Sequence, residues 1–103
     1  MIDGYLLNMR VSNDVSDGKG QALKPLEEAA EVFGAWRKYD GMRYAATTIR
    51  RAFREDLIDE CMDTVHAIAD LLAAVGATQG DVDAAIERMD ELNGNRGRFG
   101  DGG

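Results

Sequence analysis

Two groups of carboxylates stand out for their spacing. Glu27, Glu28 and Glu31 lie inside the helical stretch Leu23–Val32, and Glu60 and Asp63 lie inside Leu57–Val65. Side chains three or four residues apart share one face of a helix, about one turn from each other. Two such faces turned together make a cage of carboxylate oxygens. Hard divalent cations such as Mg²⁺ take oxygen ligands, and Mg²⁺ is commonly divided between a few carboxylates and substrate phosphates. The pattern therefore points to metal-dependent chemistry on a phosphate chain. The plainer reading of an acidic helix face is a hydrated surface. Against it, Glu28 and Glu31 sit three apart, and so do Glu60 and Asp63. The second pair also interrupts the best apolar pattern in the chain, flanked by Cys61, Met62, Thr64 and Val65. Like charges stacked on one face repel, so they gather most readily where a cation offsets the cost.

The elements that must position these acids read as helices throughout. A first helix is expected over 22–39, with Leu23, Leu26, Ala30 and Phe33 as its apolar stripe, broadened by Ala29, Val32 and Trp36. Pro25 then falls in a first turn, where its missing N–H loses no partner. Asp40-Gly41 is a stop signal. A basic segment over 42–54 carries Arg43, Arg50, Arg51 and Arg54, and no glycine or proline divides it from the next helical segment. The strongest helical pattern runs over 56–75 and closes at Gly76; a last helix spans 79–92 and ends at Asn93-Gly94. No strand-like alternation of any length and no internal repeat is present. The expected architecture is an all-α four-helix bundle over 21–99, with an arm over 1–20 that packs on the body or on a partner subunit. A disordered tail is expected over 100–103.

With 103 residues the chain is expected to be one domain with a limited core, so self-association would help it. The net charge of −7 speaks against nucleic acid and anionic membrane as partners. Anionic substrates stay open if metal ions supply local positive charge. The single cysteine, Cys61, rules out an intrachain disulfide and a cysteine-based zinc site. Neither a signal peptide nor a membrane-spanning run is visible, which gives the cytoplasm as the expected location.

Glu27-Glu28-x-x-Glu31 followed by Glu60-x-x-Asp63 resembles the signature of the MazG-like, all-α nucleoside triphosphate pyrophosphohydrolases. The terminal Asn93-Gly94-Asn95-Arg96-Gly97-Arg98-Phe99 is similar to the closing element of many small members, and the resemblance covers roughly 22–99. It implies hydrolysis of a (deoxy)nucleoside triphosphate to the monophosphate and pyrophosphate, clearing or balancing the nucleotide pool. It implies Glu28, Glu31, Glu60 and Asp63 as ligands of Mg²⁺, with Mn²⁺ as a substitute. Glu27 would orient or deprotonate the attacking water, and Asn93 and Arg96 would help hold the nucleotide or its phosphates. Homodimers or homotetramers with sites at subunit contacts are implied as well. The chain departs from the pattern at Leu92, where many relatives carry a lysine. Phosphate neutralisation then falls to other basic residues, with Lys24, Lys38, Arg50, Arg54 and Arg98 as candidates.

The residue types suit that reaction. Water must attack a heavily anionic phosphorus centre, so cations are needed to screen the charge and carboxylates to hold them and accept a proton. Among the aromatics, Trp36 is the choice for a base pocket, although packing is the commoner use of Phe33, Trp36 and Tyr39. His66 follows Asp63 at the acid-x-x-His step that resembles di-iron bundle sites. Those need two such steps, and the chain holds one histidine, so a part-buried helix histidine is the better reading. Cys61 reads as a small core hydrophobe, and Asp70 as a solvent or rim residue. The rival to an enzyme is a non-catalytic acidic helical interaction module.

Overall fold

The computed structural model describes residues 3–100. It contains three α-helices and, among the described residues, no strand. Helix α1 spans Lys19–Gly41, α2 spans Thr47–Ala74 and α3 spans Gln79–Asn95. The all-α expectation holds, and the four-helix count is corrected to three. The basic segment, open in the sequence to being a helix of its own or the start of the next, is the start of the next from Thr47 on, because Thr47–Ala74 contains neither glycine nor proline.

Helix α1 begins at Lys19, earlier than expected, with Gly18 as an N-cap that offers no side-chain bond. Pro25 therefore sits in the second turn, where it removes one backbone hydrogen bond. The helix closes through successive tight turns: Met42 N–H donates to the Tyr39 carbonyl and Arg43 N–H to the Asp40 carbonyl. At the other end of α2, Gly76 adopts φ 79°. Its N–H donates to the Ala73 carbonyl at 3.0 Å, and Ala77 N–H reaches the Leu72 carbonyl at 2.9 Å. Those two bonds define a Schellman motif, which needs a residue in the left-handed region. Thr78 then caps α3 with a capping box. Its hydroxyl accepts from Asp81 N–H at 3.1 Å, and the Asp81 carboxylate accepts from Thr78 N–H at 2.9 Å.

Helices α1 and α2 are the pair that packs along its length; α3 makes little contact with either. The α1 face turned to α2 is Gln21, Pro25, Glu28, Val32, Ala35 and Tyr39, a run at helical period and half-buried throughout. This corrects the expected stripe. Leu26 is 68% and Phe33 59% exposed on the outer side. From α2 the matching run is Arg50, Phe53, Leu57, Glu60, Cys61 and Thr64. Ala67 is the one buried apolar residue among those described. The Cα radius of gyration is 16.6 Å, against roughly 13 Å for a compact chain of 100 residues. No helix among the described residues is long and apolar enough to cross a membrane.

The amino-terminal arm does touch the body. Ser12 N–H donates to Asp70 Oδ1 at 2.8 Å, and the Ser12 hydroxyl donates to Asp70 Oδ2 at 2.8 Å. Asp70 is 8% exposed, so its expected place at a solvent rim is corrected. A charge buried to that degree survives because the arm brings two donors to it. His66 Nε2 lies 3.3 Å from the Ser12 hydroxyl and 3.5 Å from Asp70 Oδ1. Most of the tail expected to be disordered, residues 101–103, lies outside the described residues.

Candidate metal centre

The α1–α2 packing puts two carboxylates into the seam itself. Glu28 occupies the middle of the α1 run and Glu60 the middle of the α2 run, both half-buried. Asp63, one turn beyond Glu60, approaches from the exposed edge. One carboxylate oxygen from each of Glu28, Glu60 and Asp63 lies within 4.8 Å of the others. Oxygen ligands at about 2.1 Å from one ion are at most about 4.2 Å apart. A small side-chain rotation closes the difference.

The electrostatics of the cluster reflect that placement. Loss of hydration is the largest cause of the raised pKa at both Glu28 and Glu60. Next comes Glu31, whose negative charge lies beside both and within hydrogen-bonding reach of both, followed by Asp63. Glu31 therefore borders the cluster from α1. Lys24, one turn before Glu28, opposes the upward shift there. Glu60 Oε2 is buried and has no hydrogen-bond partner. The neighbouring Thr64 hydroxyl cannot supply one, because it donates to the Glu60 backbone carbonyl at 3.0 Å. A buried carboxylate oxygen without a donor is costly. A divalent cation is the ligand that would satisfy this oxygen and offset the repulsion among four acids.

Beside the acids the seam widens into an open cavity of about 380 Å³. Glu31, Gly34, Ala35 and Lys38 line it from α1, and Phe53, Asp56, Asp59 and Glu60 from α2. Small-molecule sites occupy roughly 300–1,000 Å³. Gly34, Ala35 and Phe53 were not singled out from the sequence. The signal for Ala35 and Phe53 was their register with Glu28 and Glu60 on the packed runs.

The remaining sequence-selected residues are dispersed. Glu27 is exposed, about 100° around the helix from Glu28, and does not enter the three-carboxylate group. Trp36 stacks on Phe33 with ring centroids 5.9 Å apart, and both rings are exposed on the outer side of α1. Asn93 and Arg96 belong to the end of α3, which is not packed on the α1–α2 pair, so one chain does not bring them to the acids. Their segment has a structural task. Arg98 N–H donates to the Asn93 carbonyl and Gly97 N–H to the Gly94 carbonyl, both at 3.0 Å, with Gly97 at φ 73°. Helix α3 thus runs through the expected stop at Asn93-Gly94 and ends in a second Schellman motif. Cys61 is half-buried in the α2 run, in keeping with a packing role.

A comparison of the chain with family models, with curated proteins and with solved structures gave no match.

Proposed function

We propose that the protein is a Mg²⁺-dependent hydrolase that cleaves a nucleoside triphosphate to the monophosphate and pyrophosphate. The observation that carries this reading is the buried, unpartnered Glu60 Oε2 in a cluster with Glu28 and Asp63, opening onto a cavity of ligand size. The resemblance of the Glu27–Glu31 and Glu60–Asp63 motifs to MazG-like enzymes adds the substrate class.

Glu28, Glu60 and Asp63 would hold the cation, with Glu31 completing the set from α1. Bound there, a divalent ion would screen the phosphate charge and lower the pKa of a coordinated water. The chain's own contributions are position and proton acceptance. The packing of α1 on α2 fixes Glu28 and Glu60 before substrate arrives, which lowers the ordering cost of binding. Glu31 and Glu60 border both the cluster and the cavity, so either can accept a proton from a water between them. Lys38 lines the cavity and would be the nearer ammonium group to offset leaving-group charge, while Lys24 acts on Glu28 from the other side. Glu27 is left as an outer residue acting through Glu28.

The exposed apolar faces support a homodimer or homotetramer. In such an assembly a second copy would bring Trp36, Asn93 and Arg96 to a shared site, since a single chain leaves them apart.

The test is pyrophosphate release from a panel of deoxynucleoside triphosphates with Mg²⁺. Turnover is expected with at least one nucleotide. It should fall at least about a hundredfold in Glu60→Gln, the scale of losing a general-base or charge-stabilising group. Absence of turnover with every nucleotide, together with unchanged or raised stability of Glu60→Gln with and without Mg²⁺, would establish the non-catalytic module instead.

A further inference from the structure

A second cavity, of about 520 Å³ and open to solvent, lies where α1 turns into α2. Its lining is basic: Arg43, Arg50, Arg51 and Arg54, with Tyr39 and Thr47. Four of the chain's 12 basic side chains thus meet at one place in a protein of net charge −7. Arg43 is neutralised by Asp40. Among the described residues Arg50, Arg51 and Arg54 form no ion pair. Arg50 is held in place, with its guanidinium 5.0 Å above the Tyr39 ring and one N–H donating to the Tyr39 hydroxyl at 3.1 Å. Its Nε is nevertheless buried with no partner. Helix α2 begins at the same cavity with no side-chain cap and no acid in its first turn. The free N–H groups of that turn add to the positive field.

We propose that this cavity is an anion site for a phosphate-bearing small molecule, separate from the acidic cluster. Arg50, Arg51 and Arg54 would supply forked donors to phosphate oxygens. The two sites are distinct by distance. Arg50 and Glu60 are ten residues apart on one helix, roughly 15 Å along its axis. The two cavities have no lining residue in common, and phosphate held by the arginines would require no metal. The site stands whether or not the acidic cluster is catalytic.

The experiment is calorimetric titration of the full chain with inorganic pyrophosphate, and separately with inorganic phosphate, in EDTA. Saturable pyrophosphate binding that weakens as salt rises is expected, with phosphate binding more weakly. Glu60→Gln should bind as the native protein does. Arg51→Gln and Arg54→Gln, both at exposed positions, should each weaken binding about tenfold while circular dichroism stays unchanged. Arg50→Gln should do the same, and its fold is checked the same way. No pyrophosphate binding in EDTA, equal loss in Glu60→Gln, or full binding in Arg51→Gln and Arg54→Gln would each overturn the proposal. Failure of nucleotide turnover leaves these outcomes untouched, so the two readings fail separately.

Discussion

At the scale of single residues, two carboxylates sit in opposite situations, and pH separates them. Glu60 has a raised pKa, first through lost hydration and then through Glu31, Asp63 and Glu28. A carboxyl whose folded pKa lies above its unfolded value adds stability below the unfolded value, and that stability is lost as pH rises through the folded one. Without metal, Glu60 and Glu28 therefore weigh against the fold at neutral pH. Glu60→Gln should raise the melting temperature of the metal-free protein at pH 7 and leave it nearly unchanged at pH 4. A cation competes with these protons, so metal affinity should rise with pH through a midpoint above 4.5, the ordinary glutamate value. Titration of Mn²⁺ followed by its relaxation signal at several pH values checks this. A pH-independent affinity would contradict it. Asp70 behaves the other way. Ser12 N–H holds its pKa below 3.8, aided by the Ser12 hydroxyl and His66 and opposed by burial. Its contribution is present above pH 3.8 and is lost as pH falls through the lowered folded value. The protection of the Ser12 amide against hydrogen exchange, relative to its intrinsic rate at each pH, should hold down to that range and then be lost as the arm detaches.

At the scale of elements, the helix ends carry testable costs. Gly76 has φ 79° and open space where a Cβ would point, so Gly76→Ala meets backbone strain and no clash. The expected loss is about 1–2 kcal/mol, read from urea unfolding at fixed protein concentration. An unchanged midpoint would mean that the Schellman motif contributes nothing to where α2 stops. This motif was legible in the sequence, because a glycine after an apolar helical run has one common use. The spacing of Glu28 with Glu31 and of Glu60 with Asp63 was legible, whereas the meeting of the two faces was an expectation that spacing along one helix does not decide. The packed face of α1 was not legible. Leu23, Leu26 and Phe33 form the more apolar stripe, and apolar stripes are ordinarily turned inward. Here α2 lies against Glu28, Val32, Ala35 and Tyr39 instead. Seams with ionisable residues at their centre defeat a reading based on hydrophobicity, because such residues do not contribute to an apolar stripe. Whether Thr47–Ala74 is one helix or two was open in the sequence, which has no glycine or proline there to divide it. The switch from arginines to acids changes surface charge, and charge sign does not break a helix.

At the scale of the whole molecule, the chain is a frame with its faces turned outward. Its principal extents are 45 × 41 × 21 Å, and Ala67 is the sole buried apolar residue among those described. Leu26 and Phe33 on α1, Ile58 and Met62 on α2, and Met89 and Leu92 on α3 all face water in the single chain. Apolar area of that extent is costly to leave hydrated, at about 25 cal/mol per Å². Helix α3 depends on this most, because its apolar side has little of α1 or α2 to cover it and an isolated helix of 17 residues is marginal in water. Under the proposed function a second copy would cover these faces and would bring Asn93 and Arg96 to acids from which they are separated here. The mass in solution should therefore be a multiple of 11.2 kDa, with two or four chains expected. The melting temperature should rise with protein concentration, as linked folding and association require. Met89→Glu, on the open side of α3, should shift the species toward monomer and lower the melting temperature, while Glu87→Ala on the same exposed helix changes neither. Light scattering that finds a stable monomer at micromolar concentration, with a concentration-independent melting temperature, would leave α3 without the partner that its apolar side requires.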